Sequence, residues 1–165
     1  MTDIARLKNL ILVVLGFVCA AAAFAQNPAV VTTVEEAKWG PAPPFMPPGA
    51  QLAVVSGNPM GSGAYAVRLR FPANYLIPAH SHPTDENVVV TSGDITFGMG
   101  DKLSKTATGN KTIKVGGYAL APTGMNHYAF AGANGADIVL YGQGPVEFKY
   151  VNPADDPRNA KPSTK

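Results

Sequence analysis

Between residues 51 and 151 the chain repeatedly alternates apolar and polar positions over short runs. The sharpest run is Tyr65 to Phe71. Tyr65, Val67, Leu69 and Phe71 fall on one side and Ala66, Arg68 and Arg70 on the other, the period-two pattern of a half-buried strand. Gln51 to Ser56 is a second run, set apart by the turn-rich segment GNPMGSG. Asn87 to Thr91 and Ile95 to Met99 flank Ser92-Gly93-Asp94, which predicts a hairpin. Thr112 to Val115, Tyr118 to Ala121, His127 to Phe130, Ile138 to Tyr141 and Val146 to Val151 complete the set. Roughly eight to ten short strands separated by turns predict one all-β domain of antiparallel strands, a sandwich or a barrel.

The two ends read differently. Residues 1–25 have the form of a secretory signal peptide: Arg6 and Lys8, an apolar run from Leu10 to Ala23, then the small-residue site Ala23-Phe24-Ala25 before Gln26. The apolar run is about 14 residues, short of the ~20 that span a bilayer. The expected destination is therefore the periplasm or the exterior, with no membrane attachment once the segment is removed. Residues 26–50 are proline-rich and predict an arm laid over the domain, with Trp39 and Phe45 as anchors. Residues 51–151 would form the barrel. Residues 152–165 are almost free of apolar side chains and read as a flexible tail.

Composition narrows the function classes. The only cysteine, Cys19, lies in the leader, so the mature chain has neither a disulfide framework nor a thiolate metal site. Cleavage takes Lys+Arg from 13 to 11 and Asp+Glu from 11 to 10, a net charge of +1 in place of +2. No basic stripe accompanies it, which argues against nucleic acid as a partner. A small molecule is the expected partner.

The chain has three histidines, His80, His82 and His127, and with Glu86 they fall in two compact blocks. Imidazole together with carboxylate suits a divalent transition metal: iron or manganese foremost, with nickel, copper and zinc open. His80, His82 and Glu86 share parity, so a continuous strand would aim all three at one interior, with His127 facing them from across the barrel. Asp85 or a backbone carbonyl could orient an imidazole. The competing reading is a polar network in a metal-free barrel.

The two blocks resemble the paired motifs of the cupin superfamily. The first, G-x5-H-x-H-x3,4-E-x6-G, is met by His80, His82, Glu86 and Gly93, with Asn74 in place of the first glycine. The second, G-x5-P-x-G-x2-H-x3-N, is met by Gly116, Pro122, Gly124 and His127, with Ala131 in place of the asparagine. The resemblance implies a conical jelly-roll barrel holding a metal on His80, His82, Glu86 and His127, and often a homodimer. Trp39 and the later Pro47-Pro48-Gly49-Ala50 are also similar to the start of cupin lobes in ChrR-type anti-sigma factors.

Two functions follow as expectations. One is an exported metal-dependent enzyme acting on a small organic molecule by dioxygenase, lyase or isomerase chemistry, with Glu86 both ligand and proton acceptor. The other is a non-catalytic module that binds or senses a metal or ligand. Arg68 and Arg70 are either a carboxylate clamp or a solvated strand face. Tyr65, Tyr118, Tyr128, Tyr141, Phe97 and Met99 either line a pocket or fill the core.

Overall fold

The structure is a computed structural model that describes residues 28–160. Nine strands pair antiparallel throughout: β1 (Gly40–Pro41), β2 (Gln51–Ser56), β3 (Ala64–Phe71), β4 (Leu76–Ser81), β5 (Glu86–Met99), β6 (Lys111–Lys114), β7 (Tyr118–Ala121), β8 (His127–Gln143) and β9 (Lys149–Tyr150). The long strands β5 and β8 are paired from Glu86↔Gly142 to Met99↔His127. The C-terminal half of β8 pairs with β3, and its N-terminal half pairs with β4. In the same way β5 pairs first with β7 and then with β6. These two strands pass from one wall to the other, which curls the sheet into a jelly-roll barrel.

Their continuity corrects two sequence expectations. Ser92-Gly93-Asp94 is not a hairpin: β5 runs straight through it, with register shifts on either side of the Ser92–Gly93 pairs to β8. Gly93 sits at φ 65°, and a Cβ there would collide with the Gly135 carbonyl. The glycine therefore serves a bulged corner between neighbouring strands. The segments expected as separate strands at His127 to Phe130 and Ile138 to Tyr141 are likewise the two halves of β8.

The interior follows the alternation in the sequence. Tyr65, Val67, Leu69 and Phe71 of β3 are all buried, and the residues between them are half-buried. They pack with Val88, Val90, Ile95 and Phe97 of β5 and Ile138 and Leu140 of β8. Both predicted anchors of the arm are engaged. Phe45 is buried in this core, and its carbonyl accepts from the Tyr150 hydroxyl at 2.7 Å. Trp39 carries the Arg70 guanidinium over its ring at 4.3 Å.

The segment expected as a tail begins, after β9, with local turns. Two 3-10 turns, Pro153–Asp155 and Pro157–Asn159, are capped by the side chains of Asn152 and Asp156. Arg158 ties them back by donating to the Phe148 carbonyl at 3.1 Å and to Asp156. Capping side chains, not buried apolar ones, shape these turns. The signal peptide expected at residues 1–25 lies outside the described residues. No helix among the described residues is long and apolar enough to cross a membrane.

Candidate metal centre

Three strands and one turn deliver the four candidate ligands. His80 stands near the end of β4 and is the register partner of His127, the first residue of β8. The imidazoles of such an antiparallel pair share a face, and their ring centroids are 4.4 Å apart. This corrects the expectation that His127 faces the others from across the barrel; it is the immediate neighbour of His80.

Nor do His80, His82 and Glu86 share one strand. The chain leaves β4 at Ser81, bends through Pro83 and Thr84, and re-enters the sheet at Glu86, so no continuous strand joins His80 to Glu86. The side chains converge all the same, because the turn is clamped. Gly124 donates its backbone N–H to the His82 carbonyl at 2.9 Å. Asp85 accepts from both the backbone N–H and the hydroxyl of Thr123, each at 2.8 Å. Asp85 therefore holds the two motif turns together and does not orient an imidazole.

Backbone carbonyls do the orienting. Nδ1 of His80 lies 2.7 Å from the Pro78 carbonyl, that of His82 2.9 Å from Glu147, and that of His127 3.0 Å from Met125. A carbonyl can only accept, so each Nδ1 carries the proton and each Nε2 keeps its lone pair. All three rings are buried, and their ligand nitrogens lie within 4.8 Å of one another, a group that can hold one metal ion.

Glu86 lies beside the three rings. Its carboxylate is 3.4 Å from His82 Nε2 and 3.9 Å from His127 Nε2. His82 Nε2 is fully buried and has no hydrogen-bond partner. An orphaned nitrogen aimed at two other lone pairs and a carboxylate is costly without a cation and favourable with one. The residues fit a divalent metal.

The electrostatics agree. Burial, helped by the neighbouring His127 and His82, drives the His80 pKa down to about 3, so this ring is neutral. Burial also lowers His127 against the pull of Glu86. For His82, burial is outweighed by the Glu86 charge and the Glu147 carbonyl, and its pKa is raised. Glu86 is lowered despite its own burial, because the three imidazoles stabilise its charge, His82 most of all. The Glu86 side chain is therefore a carboxylate anion among the three rings.

The residues around the centre are apolar. Phe148 stacks on the His80 ring with centroids 3.9 Å apart, and it faces His82 edge-on. A chamber of about 20 Å³ lies against His80, Glu86 and His127, walled by residues that include Met46, Phe97 and Phe148. Sequence reading gave no sign of Phe148 or Met46 here, since both read only as apolar residues in a strand and an arm. Of the other candidates, Phe97 lines the chamber and Tyr65 and Tyr128 are core, while Tyr118, Tyr141 and Met99 are exposed. Arg70 is committed to a bidentate pair with Asp137 at 2.8 to 3.2 Å. Neither Arg68 nor Arg70 lines the chamber.

A jelly-roll barrel with three histidines and a glutamate gathered in its interior defines a cupin. The chain belongs to the ChrR cupin-like domain family, which it matches over residues 27–147. No curated protein matches it. Among solved structures, an acetylacetone dioxygenase from Acinetobacter johnsonii superimposes with a TM-score of 0.56 at 15% identity, covering 89% of this chain and 84% of that one. An RmlC-like cupin from Shewanella frigidimarina gives 0.52 at 15% identity, covering 68% and 89%. A chain of the Rhodobacter sphaeroides complex of SigE with the anti-sigma ChrR gives 0.50 at 18% identity, covering 67% and 52%. At these identities the likeness is one of fold.

Proposed function

We propose that the protein is an exported, metal-dependent cupin enzyme that acts on a small organic molecule at a centre built from His80, His82, Glu86 and His127. The observation that carries this reading is the convergence of three carbonyl-oriented imidazoles, one with a buried unpartnered Nε2, on an ionised carboxylate. A divalent metal bound there supplies Lewis acidity or dioxygen chemistry beside the substrate. Iron or manganese leads for this nitrogen and oxygen donor set, with nickel, copper and zinc behind.

The chain's own residues do the rest. The three imidazoles hold the metal, and Glu86 holds it while offering a carboxylate oxygen as proton acceptor. Phe148, Met46 and Phe97 give the chamber apolar walls. Dioxygenase, lyase and isomerase chemistry all fit such a centre. A small organic molecule is the expected partner, and a homodimer the expected assembly.

The second reading is a non-catalytic binding or sensing module, favoured by the match to the ChrR cupin-like family. Anaerobic loading of the mature protein with Fe(II) or Mn(II), followed by oxygen-uptake and product screening on phenolic and keto-acid compounds, separates the two. Metal-dependent turnover of any of these supports the enzyme. Neither uptake nor a lyase or isomerase product leaves the binding module.

A further inference from the structure

The 20 Å³ chamber is too small for a substrate, but it shares Met46, Leu69, Glu86, Leu140 and Phe148 as walls with a second cavity of about 300 Å³. That volume lies at the lower end of small-molecule sites, which run from ~300 to 1,000 Å³. Its outer walls come from three irregular segments over the barrel mouth: Pro43 and Phe45 of the arm, Pro59 and Met60 of the turn after β2, and Val146 beyond β8. Substrate-selecting residues tend to sit on such loops above a rigid scaffold.

The lining is one-sided in chemistry. Its only polar side chains are Glu86 at the inner end and Asn58 at the rim, and the Asn58 oxygen already accepts the Met60 N–H at 3.0 Å. Among the described residues, no lysine or arginine lines either cavity. A charged group at the outer end of a ligand would lose its hydration there with no counter-charge to replace it.

Taking the metal reading above for where the ligand's oxygen end points, we infer that the site selects a neutral, largely apolar small molecule with one oxygen-bearing end. The apolar body lies under the arm and the oxygen end lies toward Glu86. Sugars, phosphorylated compounds and dicarboxylates do not suit it.

Calorimetric titration of the metal-loaded mature protein with 4-ethylphenol and with 4-hydroxybenzenesulfonate tests this, because the two probes share the phenol and differ in charge at the far end. The expected result is at least tenfold tighter binding of 4-ethylphenol. Val54 lines the mouth and is 51% exposed, so Val54→Trp fills the cavity without disturbing the core. The variant should weaken 4-ethylphenol at least tenfold with metal content unchanged. Equal or tighter binding of the sulfonate, or undiminished 4-ethylphenol binding by Val54→Trp, overturns the inference. Elemental analysis reports on the metal reading separately: protein that takes up no metal, yet binds 4-ethylphenol in a Val54-dependent way, contradicts that reading and upholds the selectivity of the cavity.

Discussion

His82 is the residue on which the centre turns. Its Nδ1–H is spent on the Glu147 carbonyl, and its Nε2 is buried beside the Glu86 carboxylate with no hydrogen bond. In the metal-free protein the Glu86 charge raises the His82 pKa against burial, whereas burial holds His80 neutral down to about pH 3. A proton on His82 competes with a metal for Nε2, so metal binding should weaken as the pH falls, with the competition at His82 and not at His80. Metal titrations at a series of pH values check this, and an affinity that does not fall on acidification would contradict it. The four candidate ligands were legible in sequence because a scarce residue type recurred at a fixed spacing. That His127 lies beside His80 was not, since their pairing is set by the register of two strands 47 positions apart in sequence, which no local pattern encodes.

At the scale of the element, the barrel depends on two long strands that turn a corner without breaking. Gly93 makes the corner at φ 65°, with the Gly135 backbone where a side chain would go. Gly93→Ala should cost ~2 kcal/mol or more, from a strained positive φ and a steric clash. A chemical-denaturation midpoint equal to wild type would refute it. The sequence showed a turn at this place and could not show that β8 runs alongside to keep the strand going; Ser-Gly-Asp serves a hairpin or a bulge equally well locally. The arm is the second element to test. Phe45 is buried against Phe148 with ring centroids 5.2 Å apart, and its loss would open both the core and the cavity. Phe45→Ala should destabilise the fold by about 3 kcal/mol, read by the same denaturation curves. Its role as an anchor was visible as an apolar residue in a proline-rich segment, whereas its place over the site depended on the fold of the whole barrel.

At the scale of the whole molecule, stability should depend on the metal. Four buried polar side chains in an apolar interior are a liability until a cation binds them, so the metal should favour the folded state by mass action. At a free metal concentration a hundred times Kd the gain is about 2.7 kcal/mol, which for a domain of this size is on the order of 5–10 °C in Tm. Differential scanning calorimetry with and without chelator gives the figure, and a Tm indifferent to metal would count against the site. Export is the other whole-molecule expectation. The mature protein recovered from outside the cytoplasm should begin at Gln26, which N-terminal sequencing reads directly.

The central claim is that one metal ion sits among His80, His82, Glu86 and His127, and elemental analysis tests it most directly. Mature protein and a folded His127→Ala variant are exposed to the same divalent metals, desalted and measured for metal per chain. Close to one ion per chain in the wild type and close to none in the variant is the predicted result. Equal metal content in the two proteins would contradict the site.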